Sequence, residues 1–164
     1  ISMTFYQETI IKNIKPYDVV RCFHSYDFIK FLTFGQPVKI NSWSGIDNKK
    51  KASFSFWFFG WKHMSVIHEN YNLKKDFLSF EDRGLVLPFG LKGWRHQHTI
   101  KSHKNGSLII DKIILPDEKL SKKVFIYPIM FSPVIIRRFT YKIWFNFLEG
   151  KKWTSIKRST KNEI

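Results

Sequence analysis

Four residues carry the chemistry that this chain could do: His96, His98, Asp111 and Asp82. His96 and His98 are two apart in Trp94-Arg95-His96-Gln97-His98-Thr99-Ile100, a stretch that alternates polar and apolar residues. Side chains alternate across a strand, so both imidazoles leave the same face. Two imidazoles on one face can ligate a metal, act as an acid/base pair, or sit as hydrogen-bonded core groups. A third metal ligand would come from His63, His68, Asp82 or Asp111. None of these has a spacing that demands a metal, and neither a metal nor a cofactor is expected. An aspartate beside a histidine orients it and raises its basicity, but buried polar groups need partners in any case. No nucleophile elbow, phosphate-cradling glycine loop or paired glutamates are present, so no residue is assigned a catalytic role.

The elements that must position these groups lie around Asn105-Gly106. Asn-Gly between two alternating runs, Leu91–His103 and Ser107–Leu115, is a strong hairpin signal. A two-residue Asn-Gly loop pairs Lys104 with Ser107. His98 then faces Ile113, and Ile100 faces Asp111. One face collects Trp94, His96, His98, Ile100, Ile109, Asp111, Ile113 and Leu115. It is an apolar wall with three polar groups set into it.

The rest of the chain reads in order. Strands are expected at Thr4–Asn13, Val38–Trp43, Ala52–Trp61, Lys62–Tyr71 and Asp76–Asp82, and short helices at Tyr17–Phe23 and Tyr26–Thr33. A loop covers Arg83–Gly93. From Pro133 to Glu149 the pattern is helical, with Ile136, Phe139, Ile143 and Phe147 on one face at spacings of three and four. Val134, Tyr141, Phe145 and Leu148 form an additional apolar stripe. An antiparallel sheet of this size needs a cover on one face, and the terminal helix is the only element large enough. One domain over residues 4–149 and a basic tail over 150–164 are expected. The fold class is α+β: a curved antiparallel sheet gripping one long helix.

Composition bounds the function. The chain has 164 residues, 43% of them hydrophobic and 18% aromatic, which is enough for a real core. Its single cysteine, Cys22, can form no internal disulfide, which fits a cytoplasmic setting. The net charge of +15 invites a nucleic-acid or membrane reading. The basic residues are scattered, however, and lysine, isoleucine, phenylalanine and asparagine are all frequent, as A- and T-rich codons alone would make them. Specific nucleic-acid binding is therefore not expected. Contact with a membrane surface through basic and aromatic residues stays open.

The order of elements, with these residues, resembles the SRPBCC superfamily of START-like, or helix-grip, domains. It is most similar to bacterial ligand-binding members near the polyketide cyclase/dehydrase-like group. The resemblance rests on Phe80-Glu81-Asp82, Leu87-Pro88-Phe89-Gly90, the Trp94–Ile100 run, Ile109-Ile110-Asp111 and Arg137-Arg138-Phe139-Thr140-Tyr141. Leu87 stands where a glycine is usual, and Lys142 where an arginine is. The resemblance implies an apolar ligand, lipid-, quinone- or polyketide-like, in a cavity under the helix. The expected ligand-binding residues are Phe80, Asp82, Phe89, Trp94, His96, His98, Asp111, Phe139 and Ile143. Two alternatives are a cyclase/dehydratase-type enzyme using His96, His98 and Asp111, and a basic module that docks on membranes or nucleic acid.

Overall fold

The structure is a computed structural model and describes residues 1–149. Seven strands form one antiparallel sheet: β1 (Met3–Lys12), β2 (Val38–Trp43), β3 (Lys51–Trp57), β4 (Trp61–Lys74), β5 (Phe77–Val86), β6 (Arg95–His103) and β7 (Gly106–Leu115). Their order across the sheet is β1-β7-β6-β5-β4-β3-β2, so every sequential pair from β2 to β7 is a hairpin and β1 closes on β7. Two short helices, α1 (Pro16–Phe23) and α2 (Tyr26–Thr33), follow β1. Pro16 opens α1 where a missing N–H costs nothing. The long helix α3 (Tyr127–Ile143) is extended by wider π-type turns at Lys122–Ile126 and Trp144–Glu149. This is the expected curved sheet with a long terminal helix. The expected tail over 150–164 lies outside the described residues.

Three expectations are corrected. The terminal helix starts well before Pro133. Pro128 sits in the first turn of α3, and Pro133 lies inside the helix, so neither proline stops it. The aromatic run is not one strand to Trp61: Phe58, Phe59 and Gly60 form the β3–β4 turn, with Trp57 opposite Trp61. The β6–β7 hairpin turns at Lys104-Asn105, so His103 pairs with Gly106 and His98 faces Asp111, with Ile100 opposite Ile109. The pairing is displaced by two residues from the expected one, and two is a full side-chain period, so every face assignment holds.

Gly106 explains the displacement. It is a strand residue that pairs with both His103 and Lys12, at φ +140°. A Cβ there would overlap the Ile11 carbonyl oxygen and stand 2.8 Å from the Asn13 nitrogen. The glycine is spent on the approach of β1 rather than on the turn.

Two apolar clusters fill the space between sheet and helices. One joins Phe23 and Phe28 of α1 and α2 to Phe80, Ile100, Ile109, Tyr141 and Phe145. The other joins Trp94, Ile113 and Leu115 to Tyr127, Met130, Phe131 and Val134. Trp94, just before β6, and Ile100 on it bracket His96 and His98. On β7, Ile109 and Ile113 bracket Asp111. The polar residues therefore sit in the middle of the interior, where one cluster gives way to the other.

Candidate functional site

The centre of the site is Asp111, whose side chain is 0% exposed. Its Oδ1 accepts a hydrogen bond from His96 Nε2 at 2.9 Å and lies 3.2 Å from His98 Nδ1. Tyr141, reaching down from α3, donates its hydroxyl to Asp111 Oδ2 at 3.2 Å. A second carboxylate stands opposite. Asp82 on β5 accepts from His98 Nε2 at 3.1 Å, and its Oδ1 is 3.1 Å from His68 Nε2. His68 is anchored in turn, its Nδ1 3.0 Å from the Lys50 carbonyl. Two of these contacts, Asp82 Oδ1 with His68 Nε2 and His98 Nδ1 with Asp111 Oδ1, are at ion-pair distance without the alignment of a hydrogen bond.

The packing around these groups is aromatic. Phe80 stacks on the His98 ring with centroids 4.4 Å apart, and Trp94 meets His96 edge-on at 6.1 Å. The two imidazoles are themselves 3.8 Å apart between centroids. Phe23 from α1 closes over His98 at 6.3 Å.

Burial and charge decide the protonation states. Burial lowers His96, and the positive charge of neighbouring His98 lowers it further; together they outweigh the bond to Asp111 and bring it to about 4. Burial also works against a charged His98, but the Asp82 charge and the contacts to both carboxylates win, and its pKa is raised. Burial alone would raise both carboxyls. For Asp111 the hydrogen bonds from His96 and His98 outweigh that and hold it well below the ordinary range. For Asp82 the His98 charge and the His68 contact do the same. Tyr141 is pushed well above its usual value, by burial first and then by the Asp111 charge, so it stays a neutral donor. Arg137, half-buried on α3, keeps its charge against burial through Tyr141, Asp111 and Asp82. The outcome near neutral pH is a balanced set: two carboxylates against the His98 imidazolium and the Arg137 guanidinium.

Asp82, His96 and His98 also bring ligand atoms within 4.8 Å of one another, so this trio could hold a metal ion. Each of the three is already engaged by a neighbour of complementary charge or hydrogen-bonding capacity.

Of the expected site residues, the structure brings Phe80, Asp82, Trp94, His96, His98 and Asp111 together. Phe89 is elsewhere, at the end of the sheet against Phe56 and Phe58. Phe139 and Ile143 are on the outside of the helix, 61% and 45% exposed. The inward stripe is Val134, Tyr141 and Phe145 of the additional apolar stripe, whose fourth member, Leu148, is exposed. Both stripes are apolar at helical spacing, so hydrophobicity could not rank them; the polar Arg137 and Tyr141, which complement the sheet's carboxylates, do. His68 and Tyr141 belong to the site although neither was assigned to it. The expected open cavity is filled: Phe80, Phe23, Tyr141 and Trp94 occupy the space over the histidines. Two grooves are on the surface instead, one between β1 and α3 at Thr9, Arg138 and Lys142, the other at Lys12, Lys15 and Lys104.

No family model and no curated protein matches the chain. Solved structures do. Norcoclaurine synthase from Thalictrum flavum is similar at TM-score 0.65 and 11% identity, over 92% of this chain and 97% of that one. Protein Ms6760 from Mycobacterium smegmatis is similar at TM-score 0.60 and 7% identity, over 88% and 90%. Ara h 8.0201 is similar at TM-score 0.53 and 14% identity, over 87% and 98%. With the sheet order and the terminal helix, these likenesses show that the chain has the helix-grip fold.

Proposed function

We propose that this protein binds a hydrophobic small molecule with an acidic or hydroxyl-bearing end, between the sheet and α3. The observation that carries the reading is the charge-balanced set Asp82, His98, Asp111 and Arg137 inside the domain. Apolar replacements of buried ion pairs are often neutral or stabilising, which makes a buried ionic set weak support for a purely structural role. Interior groups whose protonation is pushed strongly away from their usual values are candidate functional groups. Arg137 is only half-buried on α3 and Tyr141 is the neutral donor beside it, so these two would receive the polar end. The apolar part, lipid-, quinone- or polyketide-like, would lie among Phe5, Phe131 and Trp94. Phe131 stacks on Phe5 at 5.2 Å, so entry requires α3 to part from the sheet there. One structural neighbour, a norcoclaurine synthase mutant, holds a transition state analogue. The lone buried Cys22 supports a cytoplasmic setting.

A second reading, acid/base chemistry of the cyclase/dehydratase type, has one observation in its favour. His96 and His98 are adjacent imidazoles driven to opposite protonation states, which is how one site holds an acid beside a base.

Native mass spectrometry of protein purified from its own host tests the binding reading. An apolar molecule should be retained, and a fluorescent fatty acid should compete with it. Arg137→Gln should weaken the fatty acid but not its methyl ester. If nothing is retained and wild-type protein takes up neither probe, the binding reading fails.

A further inference from the structure

The β3–β4 turn places aromatic rings where solvent, not core, receives them. Phe59 at its apex is 84% exposed, and Trp57 and Trp61 are half exposed on either side. Phe58 packs edge-on against Phe59 and against Phe89 of the neighbouring loop, at 5.0 and 5.8 Å. Two of these rings sit on costly backbone: Phe59 has φ +48° and Phe89 φ +58°. Left-handed backbone suits glycine or asparagine, and a bulky residue held there is strained. The two strained phenylalanines pack on opposite sides of Phe58 at one end of the sheet, and Phe59, which stands in water, contributes little to the fold.

The β3–β4 hairpin that forms the tip carries no acidic residue from 48 to 68. Two lysines are at the tip itself. The Lys39 ammonium lies 4.1 Å from the Trp61 ring centre and Lys62 5.8 Å from that of Phe89. Tryptophan and phenylalanine at a protruding apex, with lysines behind them, match the boundary between acyl chains and anionic headgroups. No helix of the described residues is long and apolar enough to cross a membrane, so the contact would be with the surface.

We propose that the Trp57–Trp61 turn, with Phe89 beside it, is a docking tip for an anionic lipid bilayer: Phe59 enters the acyl boundary while Lys39 and Lys62 meet the headgroup phosphates. This goes beyond small-molecule binding and does not depend on it.

Co-sedimentation with vesicles of phosphatidylcholine, alone and mixed with phosphatidylglycerol, tests the docking tip. The wild type should bind the mixed vesicles and shift its tryptophan emission to the blue. Phe59→Asn is the decisive variant, because asparagine tolerates the left-handed backbone and removes only the ring. It should melt at the wild-type temperature or above, yet bind the mixed vesicles about tenfold more weakly. Lys39→Glu with Lys62→Glu should lose the preference for phosphatidylglycerol. No binding, or binding untouched by Phe59→Asn, would overturn the proposal, the second result assigning adhesion to the diffuse +15 charge. So would a wild-type dimer, seen by sedimentation velocity, that Phe59→Asn converts to monomer, since a second copy would then cover the tip.

Discussion

The Tyr141 hydroxyl reaches from the last turn of α3 to Asp111 in the middle of β7, 3.2 Å away and wholly buried. This bond ties the cover to the sheet through the most buried charge in the site. Tyr141→Phe removes it while keeping the ring that packs on Phe28 at 6.1 Å. A bond to a charged acceptor contributes about 1.5–3 kcal/mol, so that loss is expected in denaturant unfolding at unchanged slope. A loss under the lower bound would mean that Asp111 is already satisfied by the two histidines.

Removing the carboxylate is harsher. Asp111→Asn leaves the His98 and Arg137 cations short of one counter-charge in the interior, where breaking a buried pair costs about 3–5 kcal/mol. Tyr141→Phe added to Asp111→Asn should cost less than Tyr141→Phe in the wild type, because the two side chains share one bond. Additive losses in that double-mutant cycle would contradict the geometry.

The sign of the pH dependence follows from the two histidines. His96 has a folded pKa of about 4, below its ordinary 6.5. Its neutral form therefore contributes stability above pH 6.5, which is lost as the pH falls towards about 4. His98 is raised above 6.5, so its contribution is full below pH 6.5 and is lost as the pH rises through the raised value. The melting temperature should peak near pH 6.5 as far as this pair governs it. His96→Gln should flatten the limb between pH 4 and 6.5, and His98→Gln the limb above it. Limbs unchanged in both variants would show that other groups set the profile.

The helix face gives a direct contrast. Phe145 is buried against Phe28 at 5.6 Å, whereas Phe139 faces outwards. Phe145→Ala should cost about 3–5 kcal/mol. Phe139→Ala should stay within about 0.5 kcal/mol, as surface substitutions do. Chemical denaturation of both variants reads the difference, and equal losses would put the wrong face inwards.

Much of the site was legible because strand periodicity is robust. His96, His98 and Asp111 share a face whichever of the two registers the hairpin takes, since the registers differ by two residues. Asp82 was already a candidate partner for the histidines and Phe80 entered through the resemblance; they pair opposite His96 and His98 on β6. What periodicity could not supply was a choice between equivalents. Two apolar stripes on one helix are degenerate until something polar inside selects Tyr141. An aromatic strand running through Phe58-Phe59-Gly60 hides its turn, because phenylalanine in left-handed backbone is the opposite of a turn signal. The filled interior is a matter of packing: Phe23 and Tyr141 meet over His98 from elements far apart in the chain.

The last prediction separates two accounts of the same dipeptide. If Asn105-Gly106 were the loop itself, both residues would need positive φ, and replacing either by alanine would be costly. In the structure Asn105 is not among the positive-φ residues, and only Gly106 is left-handed, at +140°. Asn105 acts through its backbone, its carbonyl accepting from the Asn13 amide at 2.8 Å, a bond that alanine keeps. Gly106 is different in kind, because its missing side chain is what lets the end of β1 approach, with the Ile11 carbonyl oxygen standing where a Cβ would be. Asn105→Ala should therefore change stability by no more than about 0.5 kcal/mol. Gly106→Ala should cost more than about 1 kcal/mol and loosen the β1–β7 edge, seen as faster hydrogen exchange at Asn13. Comparable losses for the two variants would return the glycine to the turn and shift the β6–β7 pairing by two residues.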